Sequence, residues 1–245
     1  MTDSTHTSAN TPATPPAPPL ADTLAAAREL EGRSPAEILR WASERFGNQL
    51  TFATGFGAEG CVIIDLIARH DLPIDLFTLD TGLLFPETYR TREKLIERYP
   101  VRFERIEPEL TVDQQADAYG PKLWEREPDR CCAMRKVAPL QQALEGMDAW
   151  ITGIRREQST TRENARKIEI DARRGIVRVQ PLVDWTNRDV WRYIWKHSIP
   201  YNTLHDHGFP SIGCVPCTNP IEDGTDERSG RWKGTGKVEC GLHGP

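Results

Sequence analysis

Six cysteines are the residues of this 245-residue chain best suited to chemistry, and their spacing sorts them into three kinds. Cys131 and Cys132 are adjacent, Cys214 and Cys217 form a Cys-Val-Pro-Cys turn, and Cys240 stands alone in the closing stretch "GTGKVECGLHGP". A CxxC in a turn is half of a four-thiolate metal site, and a second pair elsewhere completes it. Zinc sites usually space both pairs, whereas two adjacent thiolates fit more easily on different iron atoms of one 4Fe–4S cube. Zinc, or an unligated reading with two small core residues and a redox pair, stand as the alternatives. Cys240 lies among Gly and Lys residues that offer little to bury it. It reads either as a stray surface thiol or as a nucleophile on a mobile arm, because a reactive cysteine must be reachable and partly ionised. Cys61, in the apolar run "CVIIDLIARH", reads as a core residue.

Positive charge recurs near these thiols. Arg135 and Lys136 follow the tandem pair by about one helical turn, so one of them should project toward a metal site. Arg155, Arg156 and Arg162 follow Gly153, and Arg228 and Arg231 precede Cys240. Each alone reads as a solvated base; together they point to a pocket for a small, multiply charged anion. The chain as a whole carries 31 basic and 36 acidic residues, a net charge of −5. That balance excludes a general nucleic-acid or membrane-surface binder. Two loops add weaker signals. "TGFGAEG" (Thr54, Gly55, Phe56, Gly57 and Glu59 within it) precedes a helix whose amides can hold a phosphate, although it lacks the Gly-Lys-Ser/Thr ending of a P-loop. "LDTGLLFPET", with Asp80, Thr81, Gly82 and Leu84, supplies backbone and a small polar group suited to a nucleoside.

These residues need a scaffold, and the periodicity supplies one. "SPAEILRWASERFG" predicts a helix opened by a Ser34–Glu37 capping box with Pro35 at its first position. "QLTFAT", "IDLFTLD", "VRFERI" and "AWITG" predict strands, alternating with the helices "CVIIDLIARH", "TYRTREKLIERY" and "DRCCAMRKVAPLQQAL". "KIEIDARRGIVRVQPL" reads as a hairpin, and "TNRDVWRYIWKHS" as a helix capped by Thr186 and Asp189 with Trp191 and Trp195 facing the core. The alternation predicts an α/β fold, a doubly wound, mostly parallel sheet with helices on both faces, whose ligands sit beyond the carboxyl ends of the strands. Residues 1–19, rich in Pro, Thr and Ala, read as a disordered tail, residues 20–220 as the nucleotide-binding domain, and 221–245 as a mobile arm in which Gly230, Gly234, Gly236 and Gly241 give freedom. No secretory or membrane segment is read, so a cytoplasmic protein in a reducing compartment is expected.

The combination "CCAMRKVAPL", "TGIRREQSTTR", "LDTGLLFPETY", "GCVPCT" and "GRWKGTGKVECGLH" resembles the iron–sulfur adenylylsulfate (APS) reductases of the APS/PAPS reductase family, from about residue 34 to the end. The resemblance implies an adenine nucleotide alpha hydrolase-like fold and one 4Fe–4S cluster on Cys131, Cys132, Cys214 and Cys217. It implies that Cys240 takes the sulfonate of adenosine 5'-phosphosulfate and releases AMP, with thioredoxin or a similar dithiol as the reductant. It places Lys136 between cluster and sulfate, and Arg162, Arg228 and Arg231 around the phosphosulfate. Thr54 to Glu59 match the phosphate-side loop, although relatives often carry serines there. His243 is in position to hydrogen-bond the thiol or the leaving group, or simply to face water. A PAPS reductase and a zinc-stabilised anion-binding module are the competing readings. The Ser-Gly-Gly-x-Asp-Ser loop of ATP pyrophosphatases is absent. Oligomeric state is left open, a homo-oligomer included.

Overall fold

The computed structural model describes residues 20–221 and 226–243; the stretch expected to be a disordered tail, 1–19, lies outside the described residues, as do 222–225, 244 and 245 of the expected arm. Strands β1 (Leu50–Ala53), β2 (Asp75–Leu79), β3 (Phe103–Ile106), β4 (Ala149–Ile151), β5 (Ile168–Asp171) and β6 (Ile176–Val179) form one sheet in the order β3-β2-β1-β4-β6-β5. All neighbours are parallel except β5 and β6, the hairpin read from "KIEIDARRGIVRV". Strand β4 is apolar without alternation, and all of Ala149, Trp150 and Ile151 are buried, as a strand covered on both faces must be.

Nine helices are described: α1 (Leu20–Leu30), α2 (Pro35–Phe46), α3 (Ala58–Arg69), α4 (Pro86–Arg98), α5 (Val112–Tyr119), α6 (Leu123–Arg126), α7 (Pro128–Cys132), α8 (Ala138–Ala143) and α9 (Asn187–His197). A π-helical turn, Ala133–Val137, joins α7 to α8. The capping boxes at Ser34 and Thr186 form as the sequence predicts, and a third forms at Thr111 with Gln114. On one face of the sheet Ile38 and Leu39 of α2, Ile63 and Leu66 of α3, and Val190 and Ile194 of α9 pack over Phe52 and Ile151. On the other, Leu140 and Leu144 cover Phe77 and Trp150. Each such side chain, fully buried, contributes roughly 1.5–3 kcal/mol. Cys61 is buried in the first cluster as expected, and burial pushes its thiol far above the usual range.

Buried Asp65 ties three helical elements together. It accepts hydrogen bonds from Tyr99 (2.7 Å) and Tyr193 (2.9 Å) and pairs with Arg69 at 2.7 Å. The expected Trp stripe is only half present. Trp191 packs against Tyr201 and His205, whereas Trp195 is 68% exposed. The inward face of α9 is carried by Val190 and Ile194, and Trp195, one residue beyond Ile194, is turned about 100° away from it.

Candidate active site

The strand order reverses at β1, with β2 and β3 on one side and β4 on the other. A cleft of about 250 Å³ opens there, at the carboxyl ends of β1 and β4. Its floor is Thr54, Gly55 and Gly57 after β1 and Gly153 after β4. Thr54 Oγ1 accepts from the amide of Phe56 at 3.1 Å, which tightens the loop into α3. No side chain caps α3, so its first amides are left for an anion. A Cβ on Gly153 would stand 3.0 Å from Glu59 Cβ, so only glycine allows the two loops to close this far.

Three residues of these loops do not reach the cleft. Phe56, at φ +56°, turns into the core and meets Phe103 edge-on at 5.1 Å. Asp80 is buried, accepts from the Gly82 amide (2.9 Å) and Tyr89 (2.8 Å), faces Arg105, and borders a separate small cavity. Gly82, at φ +68°, forms the turn that this carboxylate holds. Successive side chains at a strand end point to opposite sides, so Thr81 lines the cleft where Asp80 cannot, and Leu84, beyond the turn, borders both the cleft and the small cavity. Glu59 borders the cleft, but Arg155 (2.7 Å) and Gln158 (3.0 Å) hold its carboxylate. Burial opposes that charge and Arg155 outweighs burial, leaving Glu59 below the usual carboxylate range. Arg155, 1% exposed, also pairs with Glu157 and Glu227, and Arg156 pairs with Glu31, so neither belongs to an anion pocket.

Cys131, Cys132, Cys214 and Cys217 are buried free thiols bordering one small cavity with Trp124, Trp232 and Lys136. α7 ends at the tandem pair, and the segment holding Cys214 is pinned by a bridge to Leu84 and by the Val215 amide donating to Leu83. Thr81 Oγ1 lies 3.3 Å from Cys214 Sγ, and Gln115 Nε2 lies 4.0 Å from Cys131 Sγ. Burial, then mutual repulsion with neighbouring thiolates, pushes the Cys131 thiol up and that of Cys217 to about 11. Burial also raises Cys132, against the pull of Lys136. Among the described residues no three His, Cys, Asp or Glu side chains already form a metal site. The donor set still suits a soft cation, since only a metal would let four crowded thiols ionise together.

Of the two bases after the tandem pair, Lys136 is the one that faces the chemistry. It lines both the cleft and the thiol cavity. Burial favours its neutral form, yet Coulombic attraction to Cys214 and Cys240 sulfur carried as thiolate outweighs burial and its pKa is raised. Arg135 instead donates to carbonyls of Thr81 (2.6 Å) and Leu110 (3.1 Å) and fastens the π turn to the loop after β2. Such π turns gather at functional sites.

The chain after residue 226 folds back over the cleft. Arg162, Arg228 and Arg231 line it, along with Cys240 and His243. Arg231 donates to the carbonyl of Cys217 and lies over the Trp232 ring at 4.5 Å. Arg162 and Arg228 share the carboxylate of Glu239, at 3.0 and 2.9 Å. Burial, then Arg162, pushes Arg228 down to about 10. Cys240 is half-buried beside Cys132, Cys214, Cys217 and Trp232. His243 stacks on Trp150 at 5.4 Å and 7°. Burial and then the surrounding arginines hold it well below the usual histidine range, so its ring is neutral near pH 7. Gly230 is a close-packing glycine more than a hinge, because a Cβ there would collide with the Asn219 carbonyl.

Sequence reasoning missed, among others, Trp150 and His205, which line the cleft, and Glu239, which holds two arginines that do. Trp150 reads as a core strand residue, His205 sits in a short turn (Thr203–His207), and Glu239 is only a neighbour of Cys240. His205 Nε2 is buried without a partner and burial keeps its ring neutral. No spacing in the chain announces that these residues meet.

Among the described residues no helix is long and apolar enough to cross a membrane. Residues 49–220 match the family model described as "Phosphoadenosine phosphosulfate reductase domain". The chain is 49% identical over 214 residues to the adenosine 5'-phosphosulfate reductase of Geobacillus thermodenitrificans, covering 87% of this chain and 91% of the relative. It is 49% identical over 207 residues to adenosine 5'-phosphosulfate reductase 1 of Bacillus subtilis, covering 84% and 89%. The crystal structure of phosphoadenylyl-sulfate (PAPS) reductase from Candida auris, a phosphate complex, superposes with a TM-score of 0.73 at 32% identity over 83% of this chain and 98% of the other. The FMN adenylyltransferase of Candida glabrata, at 16% identity and a TM-score of 0.55, shares the fold alone. By sequence and by fold alike, the chain belongs to the phosphoadenosine phosphosulfate reductase domain family.

Proposed function

We propose that the chain reduces adenosine 5'-phosphosulfate to sulfite and AMP at the expense of a dithiol protein such as thioredoxin, in assimilatory sulfate reduction. One observation carries the reading: a half-buried thiol, Cys240, borders an arginine-lined cleft at the sheet's switch point beside the buried ammonium of Lys136. The names of the relatives, adenosine 5'-phosphosulfate reductases nearly half identical to the chain, support it.

In this mechanism the α3 amides and the Gly55–Gly57 backbone receive the nucleotide phosphate, and Thr54, Thr81, Leu84 and Gly153 bound the cleft around the nucleoside. Lys136, Arg162, Arg228 and Arg231 surround the sulfate. Cys240 Sγ, as the thiolate, attacks the substrate sulfur. An S–S bond forms, the sulfur–oxygen bond to the phosphate breaks, and its electron pair leaves on AMP. The same cations stabilise the charge that gathers on the leaving oxygen. Neutral His243, which borders the cleft, would donate a hydrogen bond and not a charge. A dithiol then attacks Cys240 Sγ, sulfite leaves with the S–S electron pair, and the second thiol resolves the mixed disulfide. The two electrons that carry sulfur from the sulfate to the sulfite level therefore come from the dithiol.

Cys131, Cys132, Cys214 and Cys217 would hold a 4Fe–4S cluster, whose chemistry there is to order the site and set the field around Lys136. Residues 20–220 form the nucleotide domain and 221–245 the arm, which must close for attack and open for the reductant. The cytoplasm, where thiols stay reduced, suits six free cysteines. A second reading, PAPS reduction, draws on the Candida auris relative. The test is an anaerobic assay of the purified protein with each nucleotide and thioredoxin, following sulfite and the nucleotide product. Sulfite and AMP from adenosine 5'-phosphosulfate alone supports the proposal; turnover of PAPS alone overturns it. A brown protein supports iron and sulfide, and a colourless zinc protein refutes the cluster.

A further inference from the structure

Contacts hold the chain on both sides of Cys240, and those on the far side come from an element with no place in the mechanism. Before the cysteine, Glu239 accepts two hydrogen bonds from Arg162 (3.0 and 3.0 Å) and one from Arg228 (2.9 Å), while Arg228 also donates to the Val238 carbonyl at 3.1 Å. After it, the carbonyls of Gly241 and Leu242 accept from Arg173 (3.3 Å) and Arg174 (3.4 Å), in the turn between β5 and β6. Arg174 is anchored by Asp171 at 2.7 Å, and its guanidinium lies 5.4 Å from the ring centre of Trp150, on which His243 stacks. Leu242 packs into the apolar cluster of Phe77, Leu140, Leu144 and Trp150. Gly241 permits this seat: its φ is +86°, and a Cβ there would crowd Val137 at 3.3 Å.

We propose that Arg174 and Glu239 are positioning residues, the two halves of a clamp that seats the arm with Cys240 at the cleft before substrate arrives. The halves differ in chemistry. The Glu239 half uses arginines that line the cleft, so an entering anion competes with its carboxylate for them. The hairpin half does not border the cleft, so it keeps the arm seated while that exchange occurs. A dianion takes the arginines from Glu239 without releasing Cys240. The seat holds whatever anion the cleft accepts; only the exchange rests on the function proposed above.

The test uses the full, substrate-free chain. Iodoacetamide labelling of Cys240, resolved by peptide mass spectrometry, is compared between wild type and Arg174→Ala. The clamp predicts labelling at least about threefold faster in the variant, with faster amide exchange over 238–243. Labelling at or below the wild-type rate with unchanged exchange overturns the proposal. Exchange at β6 checks that the hairpin is folded. Should Arg174→Ala lose it, Glu239→Gln decides: faster exchange over 238–243 supports the clamp, and wild-type exchange overturns it. With adenosine 5'-phosphosulfate, Glu239→Gln should lower KM, because the substrate no longer has to take Arg162 and Arg228 from a carboxylate, and a raised KM contradicts the exchange. A wild type that turns over no nucleotide sinks the functional reading and leaves labelling and exchange to judge the clamp.

Discussion

Lys136→Met tests the electrostatic core of the site, because methionine keeps the stem that fills the wall and removes only the charge. Lys136 is buried and borders both the cleft and the thiol cavity. A unit charge about 4 Å from a developing anion, at an effective dielectric of about 20, interacts by about 4 kcal/mol. Nearby arginines would recover part of this in the variant, and loss of a single preorganised donor elsewhere costs about 2.7–4 kcal/mol, or 10²–10³ in kcat. The expectation is therefore a 10²–10³-fold fall in the rate of Cys240 sulfonation at saturating adenosine 5'-phosphosulfate. The fold should survive, because a buried ammonium is costly to keep and an apolar replacement of similar volume is often neutral. The assay is single-turnover release of AMP, with a thermal melt alongside. A Lys136→Met protein with the wild-type melt and a rate within fivefold of wild type would falsify the placement of Lys136 beside the reacting sulfate.

Three further outcomes follow from particular contacts. Asp65→Ala leaves Tyr99, Tyr193 and Arg69 without their shared acceptor and should cost about 3 kcal/mol in urea unfolding; a cost below 1 kcal/mol would remove Asp65 as a tie between α3 and α9. Gly230→Ala drives a Cβ into the Asn219 carbonyl, a backbone atom that cannot step aside, and should loosen residues 226–232 by about 1–3 kcal/mol in amide exchange; wild-type exchange would contradict that packing. His243 faces Arg162, Arg174, Arg178 and Arg228 and is held below its ordinary value of about 6.5, so the undocked arm binds more protons than the docked one in acid. Docking from this source is fully present above about pH 6.5 and is lost as pH falls below it. Arm exchange, corrected for its intrinsic rate, should rise from pH 7.5 to 5.5 in wild type and not in His243→Gln; equal slopes would refute the role of the imidazole.

Local signals in the sequence held where the physics is local. The Ser34 and Thr186 boxes and the strand–loop–helix unit at residues 50–69 depend on neighbours a few residues apart, and each forms as read. The Thr111–Gln114 box carries the same kind of signal and went unread, as did α1, an Ala-rich helix with no polar start. Residues whose side chain could turn either way were not decidable. Phe56 turns inward because the loop reverses at a positive φ, and Asp80 turns away from the cleft that Thr81 faces. Arg155 and Arg162 lie seven apart in one basic stretch, yet the first is taken up by three carboxylates and the second lines the cleft. Partner choice of that kind is long-range, as is the meeting of Glu239 with Arg162 or of His243 with Trp150. The four thiols were legible as a set because two pairs of one rare residue type leave few other arrangements.

The most direct test of the central claim is to mix the protein anaerobically with adenosine 5'-phosphosulfate in the absence of any dithiol, then quantify AMP and map the protein by mass spectrometry. The account predicts one AMP per active chain, one sulfonate on the peptide bearing Cys240, and release of sulfite only when thioredoxin is added. Sulfonation of a different cysteine, or sulfite released before any dithiol is present, would contradict it.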